Sequence, residues 1–427
     1  MTALYPALSR LPAIPWRVRK KLETWVENDA RVRLPALYRW LHFGRAHDPL
    51  VAVTSGPKHH FFGYYEKSPW NASQTLLLAH EADFNDRAPG ADDACRIGVV
   101  HLGERRFEAL AESLAWNWQQ GAMLAWHPAD PERTLVHNDR ERGVAVGVVR
   151  DVSGRVLQRY TRPIYTLSPD GRLGWSLDFA RLALHRPGYG YAGITDPRAH
   201  EHAPGDDGLH LIELDSGRST LIVSLHLLAR KDAKPAMNGQ FHWLNHIQPS
   251  PQGSRIAFFH LWREGEKGWG VRLYTCRPDG GELVCALDTG RISHYDWLDE
   301  DHILAWARRS EGGERFLLVD VRDGRCTPYG EGVLTEDGHD SFSPDRRWVL
   351  NDTYPDAHDM RTLMLVSWPE GRRIDIARTH SPKSRWWGEI RCDLHPRWSR
   401  DGRQVCIDSV HDGSRQIYIA DVSRWTA

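Results

Sequence analysis

The sequence lacks long apolar runs: no stretch of its 427 residues approaches the roughly 20 apolar residues that a membrane-spanning helix needs. It also lacks an excess of one charge, since 55 basic residues accompany 56 acidic ones. A surface that tracks phosphates usually leaves a basic excess, so we expect no nucleic-acid partner. Arg10 and several prolines interrupt the first residues, which predicts no signal peptide and a cytoplasmic chain.

Several motifs are missing as well. The six cysteines include no CxxC pair, which favours buried reduced thiols over disulfides or a zinc ribbon. There is no GxSxG elbow of a serine hydrolase and no glycine-rich nucleotide loop. Trp and His are plentiful instead, with 19 and 23 copies. Tryptophans often stack on flat ligands such as sugar rings, although they also fill the space between sheets.

The charge and the spacing of apolar residues divide the sequence into two parts. Residues 1–48 hold two runs with helical spacing, 16–26 and 34–41, and nine Lys or Arg against three Asp or Glu up to residue 45. This basic helical segment is either a peripheral contact with a membrane surface or a pair of helices packed on the main domain. Residues 49–427 show short strand-like runs between turn residues, which predicts an all-β domain.

A repeat runs through residues 49–427. A Ser-Pro turn followed by a strand recurs at 68, 168, 250 and 343, a degenerate copy lies at 399, and Trp-containing turns near 127 and 298 take the same place. Seven such units predict a seven-bladed β-propeller, because four-stranded blades bury their faces by stacking radially. The last unit is one strand short, so we expect residues 50–54 to supply it and close the ring. These turns resemble those of TolB-like and WD40-like propellers.

A histidine precedes the turn in each of the last four units. Innermost strands line the channel of a propeller, so the four side chains should converge in one funnel. Imidazole ligates metals and titrates near neutrality, which indicates a metal site or a proton-transfer site, whereas buried structural histidines are the alternative. With Asp296, Asp340 and Asp393 nearby, zinc, manganese and calcium all remain open. The four residues are His246, His294, His339 and His395.

A second group occupies the first three units: His60 and His80, 20 residues apart, and Tyr165 and Arg181, 16 apart. These residues resemble the site of propeller polysaccharide lyases, namely the ulvan lyases and the rhamnose–glucuronate lyases. Oligogalacturonate lyase, a seven-bladed propeller with a histidine-rich metal site, is a more distant resemblance. The resemblance implies β-elimination at a uronic acid, with His60 and Tyr165 as the acid–base pair. His80 and Arg181 would then neutralise the substrate carboxylate.

The chemistry suits these residue types. A lyase removes the C5 proton of a uronic acid and expels the group at C4, which requires a base, an acid and a cation beside the carboxylate. Aromatic rings and arginines near the funnel would bind the sugars, since arginine binds carboxylates in a bidentate fork. The candidate substrate-binding residues are Tyr64, Trp118, Trp243, Arg391 and Arg397.

Three functions follow from these observations. The first is a polysaccharide lyase that acts on an acidic glycan, with a divalent metal ion as cofactor. The second is a non-catalytic propeller that binds a glycan or a protein in cell-envelope polysaccharide assembly, peripheral to the inner membrane. The third is another carbohydrate-active enzyme, such as a glycosyltransferase or an epimerase, that uses the same funnel.

Overall fold

The computed structural model describes residues 49–266, 268–308 and 313–426. Within these residues, 28 strands form seven four-stranded antiparallel sheets. This confirms the predicted seven-bladed, all-β propeller. The basic segment, residues 1–48, lies outside the described residues, and so do the two helices expected there.

Strand β1 (Leu50–Ala52) opens the chain and belongs to the last blade. Blade 1 contains β2 (His59–Phe61), β3 (Leu76–Ala82), β4 (Cys95–His101) and β5 (Arg106–Ser113). Blade 2 contains β6 (Ala125–Trp126), β7 (Thr134–Glu141), β8 (Val144–Asp151) and β9 (Val156–Tyr160). Blade 3 contains β10 (Thr166–Leu167), β11 (Leu173–Ser176), β12 (Gly208–Glu213) and β13 (Ser219–Ser224). Blade 4 contains β14 (His242–Pro249), β15 (Ile256–Glu264), β16 (Gly268–Cys276) and β17 (Val284–Leu287).

The remaining blades follow the same order. Blade 5 contains β18 (Ile292–Trp297), β19 (His302–Arg308), β20 (Glu314–Asp320) and β21 (Cys326–Pro328). Blade 6 contains β22 (Ser341–Phe342), β23 (Trp348–Asp352), β24 (Met360–Ser367) and β25 (Arg373–His380). Blade 7 contains β26 (Arg397–Trp398), β27 (Gln404–Ser409) and β28 (Gln416–Asp421). The described residues also form three α-helices, α1 (Phe179–His185), α2 (Leu225–Arg230) and α3 (Ser423–Thr426). Among the described residues, no helix is long and apolar enough to cross a membrane.

The recurrent Ser-Pro turn has a local cause. In blade 3 the Ser168 hydroxyl donates to the Asp170 carboxylate over 2.5 Å and accepts from the Leu173 amide over 2.9 Å. Gly171 takes a positive φ of 70°, which glycine adopts without a steric penalty. The serine hydroxyl makes its hydrogen bonds to residues of the same turn. Each copy can therefore form a turn, and start a new hairpin, wherever it occurs in the chain.

Strand β1 closes the propeller as the sequence predicts. Leu50 pairs with Ala420 and Ala52 with Tyr418, so β1 is the outermost strand of blade 7 and joins the two ends of the described chain. Its Leu50 side chain and that of the following Val53 are buried. The closure leaves β28 paired on both sides, which removes a long exposed edge.

We expect a chain that starts at residue 55 to lose several kcal/mol of unfolding free energy, compared with a chain that starts at residue 49. Burying Leu50 and Val53 contributes about 1.5–3 kcal/mol each, and the β28 ladder would also lose its partner. Denaturant midpoints of the two chains measure the difference. Equal midpoints would show that β1 adds no stability.

Candidate functional site

The four repeat-position histidines lie in or just before the innermost strands of blades 4 to 7, and we call the end of the propeller at which these strands begin the histidine face. His246 and His294 lie in β14 and β18 where a register shift interrupts pairing with the next strand. His339 and His395 come just before β22 and β26. His246 and His395 have positive φ values of 51° and 42°, so the backbone departs from the extended conformation at these positions.

The four imidazoles form one continuous series across the channel. The ring centroids of His246 and His294 are 6.3 Å apart, those of His294 and His339 4.1 Å, and those of His339 and His395 4.4 Å. Three of the rings are buried, whereas His246 is partly exposed. Blades 4 to 7 therefore bring the four side chains together, as the repeat position predicts.

Hydrogen bonds at Nδ1 orient three of these rings. His395 donates from Nδ1 to the Gly63 carbonyl over 2.7 Å. His339 Nδ1 lies 2.9 Å from the Asp352 carboxylate, and His294 Nδ1 lies 3.0 Å from that of Asp337. A partner at Nδ1 fixes the tautomer and leaves Nε2 as the lone-pair donor, the usual arrangement around metal-binding histidines.

One group within the described residues has metal-ligand geometry: His339, Asp393 and His395, whose ligand atoms all lie within 4.8 Å of one another. The Nε2 atoms of both histidines are buried and have no hydrogen-bond partner among the residues that the structure describes. Two imidazole nitrogens and one carboxylate oxygen suit zinc or manganese. The residues present therefore fit a divalent cation.

Two arginines hold the Asp393 carboxylate. Arg361 donates to one oxygen over 2.7 Å and Arg391 to the other over 2.6 Å. Burial alone would raise the pKa of Asp393, but the charges of Arg391 and Arg361 outweigh it and hold the pKa well below its usual range. The group therefore supplies an ionised carboxylate beside two imidazoles. Asp296 and Asp340, also near the histidines in sequence, are not part of it.

A tyrosine pair from blade 1 enters the channel beside the histidines. The Tyr64 hydroxyl lies 2.5 Å from Nε2 of His246. Tyr65 donates to the Tyr295 carbonyl over 3.0 Å and accepts from its amide over 3.1 Å, which ties this segment to blade 5. Burial lowers the pKa of His246 well below its ordinary value and raises that of Tyr64 well above it. At neutral pH the pair is a neutral imidazole and a protonated phenol.

The rim of the histidine face carries arginine and aromatic side chains. Arg391 donates to the Tyr189 hydroxyl over 2.9 Å. The Arg186 guanidinium lies 5.1 Å from the Tyr189 ring centroid and 4.0 Å from that of Trp269. Arg186 forms no ion pair with any residue that the structure describes, so its charge is available to an anionic ligand.

The group predicted in the first three blades is dispersed. His60 bonds Gln416 and Glu81, both over 3.0 Å, at the junction of blades 1 and 7. His80 accepts from the Ala122 amide over 3.0 Å and stacks on Phe61, and burial lowers its pKa to about 3. Their catalytic roles stay predictions. In this structure the hydrogen bonds of both side chains connect neighbouring blades.

Arg181 lies on α1 rather than at the start of a strand. Its Nε atom donates to the His242 carbonyl over 2.6 Å, and its remaining nitrogens bind Asp196 and the carbonyls of residues 198, 201 and 202. The guanidinium is 1% exposed and anchors the loop after α1. It is thus occupied by protein groups, and the neutralising role that the resemblance implies has no support in this geometry.

Tyr165 is the one member of that group which reaches the histidine series. Its hydroxyl accepts from the His246 amide and donates to Asn245 Oδ1, both over 3.1 Å, and accepts from Gln120 over 2.7 Å. Tyr165 therefore supports the unusual backbone of His246. Its predicted acid–base role stays a prediction.

Two of the candidate substrate-binding residues lie at the histidine series, and the other three are buried between blades. Tyr64 and Arg391 lie at the histidine series. Trp118 and Trp243 are buried among other side chains, with 2% and 1% of their surface exposed. Arg397 is buried as well and pairs with Asp408 over 2.8 Å. These three contribute to packing between blades in this structure.

The sequence interpretation missed Arg186, Tyr189, Asp352 and Asp337. Arg186 and Tyr189 belong to a 31-residue connection between β11 and β12, from Leu177 to Asp207, where no repeat exists to align. Asp352 ends the second strand of its blade, and its contact with His339 spans 13 residues. One signal was available: Asp393 and His395 are two residues apart, the spacing that places side chains on one side of an extended segment.

The connection after β11 is built over a buried carboxylate cluster. Burial, together with the nearby Asp178, raises the pKa of Asp207 to about 7. Asp196 adds to this effect and Arg181 opposes it. A carboxyl whose pKa is raised by folding holds its proton more tightly in the folded state. Stability therefore falls as the pH rises from the ordinary value of 3.8 to about 7.

Replacing Asp207 by asparagine is expected to stabilise the protein above pH 7. Asparagine keeps the acceptor for the Gly208 amide, which lies 2.7 Å away, but carries no charge. A pKa change of this size corresponds to on the order of 4 kcal/mol, and the gain should vanish in acid. Unfolding midpoints at alkaline and acidic pH measure it. Asp206→Asn, at an exposed neighbour paired with Arg198, is the control and should not stabilise.

Comparisons with known proteins identify the fold. No protein-family model matches the sequence, and no curated protein matches it. Among solved structures, oligogalacturonate lyase from Vibrio parahaemolyticus is similar with a TM-score of 0.61 and 13% identity, over 87% of this chain and 93% of that one. An oligogalacturonate lyase in complex with manganese has a TM-score of 0.60 and 14% identity, over 87% and 92%. TolB from Acinetobacter baumannii is more distant, with a TM-score of 0.39. At these identities the similarity shows the propeller fold, and the resemblance to ulvan lyases stays a prediction.

Proposed function

We propose that this protein is a divalent-metal-dependent polysaccharide lyase that cleaves a uronic-acid-containing glycan at the histidine face. The observation that carries the proposal is the pair of buried, unpartnered Nε2 atoms of His339 and His395 beside the ionised Asp393. A buried polar atom without a partner is costly, so its presence twice in one place points to a ligand. The similarity to a manganese-containing lyase supports the choice of reaction.

The residues around the group supply the other requirements of β-elimination. Arg186 carries the cation that can hold the substrate carboxylate at the rim. His246 is a neutral imidazole that shares a hydrogen bond with the protonated Tyr64, so this pair can accept the C5 proton and donate one to the departing oxygen. A metal ion bound by His339, Asp393 and His395 would neutralise carboxylate charge as the C5 proton leaves.

The direct test incubates the full-length protein with a panel of uronic-acid glycans, with Mn²⁺, with Zn²⁺ or with chelator. The expected result is an increase in ultraviolet absorbance from an unsaturated product, in the presence of metal only. Glycan binding without an unsaturated product would replace the lyase with a non-catalytic binding propeller. Equal rates with chelator would reject the metal.

A further inference from the structure

A groove opens on the histidine face between blades 4 and 5. Its volume is about 630 Å³, within the range of small-molecule sites. Trp269 lines one wall, near the start of β16, and Arg308 and Glu314 line the other, at the end of β19 and the start of β20. Because neighbouring strands run antiparallel, these strand ends lie at the same end of the propeller as the starts of β14 and β18.

The groove reaches the proposed active site. Ser293 and Asp337 line its inner end, and both lie within hydrogen-bond distance of Nδ1 of His294, at 3.1 and 3.0 Å. At the rim, Arg186 contacts both Trp269 in the groove and Tyr189 in the site. A chain of sugars with one unit at the histidines could therefore continue into this groove.

The charges of the groove argue against a second acidic sugar. Arg308 donates to Glu314 over 3.3 Å, and Arg291 lies 3.9 Å from the same carboxylate. Glu264 and Asp337 add two more carboxyl groups, so the three acids of the lining outnumber its two arginines, and Arg186 at the rim is assigned to the uronic acid. A carboxylate that entered here would meet two arginines that already share Glu314, together with two further acidic groups. Hydroxyl groups, in contrast, can both donate to these carboxylates and accept from the arginines.

Trp269 supplies the apolar surface that a sugar ring needs. Among the described residues it is one of seven large apolar side chains that stay exposed, at 36% of its surface. The Arg186 guanidinium, 4.0 Å from its ring, holds the indole in place. A rigid aromatic ring beside paired charges is suited to the apolar face and the hydroxyls of a neutral hexose.

We propose that this groove is a subsite for an uncharged sugar adjacent to the uronic acid, so that the substrate is a mixed glycan rather than a polymer of uronic acid alone. The inference rests on the proposed function for the position of the uronic acid. It adds a site and a sugar class that the histidine series does not specify.

The test measures binding by calorimetry in the presence of chelator, so that turnover does not interfere. The probes are a tetrasaccharide that alternates uronic acid with neutral hexose and one of uronic acid only. The wild-type protein should prefer the alternating probe. Trp269→Ala should weaken its binding about tenfold, from the loss of roughly 1.4 kcal/mol of ring contact, and should weaken the acidic probe less, because only the contact with Arg186 is lost there. Trp387→Ala, at an exposed tryptophan outside the groove, is the control.

A second variant gives a gain of binding. Glu314→Gln removes the carboxylate that Arg291 and Arg308 share, so binding of the acidic probe should strengthen. Preference of the wild type for the acidic probe, or unchanged binding in both variants, would overturn the subsite. A selective Trp269 effect without any unsaturated product would retain the subsite and reject the lyase. Formation of the unsaturated product with no effect of Trp269→Ala on binding would retain the lyase and reject the subsite.

Discussion

Replacing His395 or His339 by alanine should abolish tight binding of divalent metal, and with it the lyase activity. Each replacement removes one of three ligand atoms that lie within 4.8 Å of one another. Changes to residues that only orient metal ligands already cost about 10–100-fold in affinity, so we expect at least a ~100-fold loss here. Calorimetric titration of the full-length variants with Mn²⁺ alone measures the effect independently of any substrate.

The fold should survive these changes. When His395 is lost, the Gly63 carbonyl keeps a hydrogen bond from Arg397 over 2.7 Å. His302→Ala is the matched control, because that partly exposed histidine lies at the start of β19 and pairs with Asp299. Asp352→Asn should give an intermediate loss of affinity, since it weakens the orientation of His339 without removing a ligand. Wild-type Mn²⁺ affinity in both alanine variants would reject the metal site.

Replacing Tyr64 by phenylalanine should lower kcat by about 10²–10⁴-fold, the usual effect of losing a general acid or base. The change removes only the hydroxyl that lies 2.5 Å from His246, and the ring keeps its packing against Tyr65 and His395. Mn²⁺ affinity should stay at the wild-type value, because Tyr64 does not belong to the ligand group. Steady-state rates on the best glycan of the panel, measured beside Mn²⁺ titrations, separate the two functions.

Tyr160→Phe provides the matched control for the loss of a buried hydroxyl. The Tyr160 hydroxyl donates to the Leu214 carbonyl over 2.9 Å at the end of blade 2, away from the histidines. This variant should lose some stability and keep its kcat. His246→Gln should behave like Tyr64→Phe. Full activity in Tyr64→Phe and His246→Gln would exclude the pair from proton transfer and leave the base to be found elsewhere.

The propeller itself could be predicted because its repeated element is local. Ser168, Ser343 and Ser399 each donate to the aspartate two residues later and accept from an amide five residues later. Such a turn forms from a few consecutive residues, and its recurrence reports the number of blades. The closing strand followed from the same count, since the last unit lacked one strand.

The histidine series was predictable for a related reason. A repeat places equivalent positions of successive blades around one axis, so His246, His294, His339 and His395 had to approach each other if the alignment was right. The sequence does not state which partner each ring takes. His246 contacts Tyr64 across 182 residues, and His395 contacts Gly63 across 332.

Sequence alone thus determined the seven blades, their closure and the meeting of four histidines, because turn chemistry and repeat position are properties of the chain. Tertiary structure decided the roles of individual charged side chains. Arg181 and Arg186 lie five residues apart, yet one is buried in a shell of carbonyls and the other lies against Trp269 at the rim, with no ion pair to any described residue. Partner and solvent exposure set the charge and availability of such a group, and both depend on how the long connection after β11 packs on the blades.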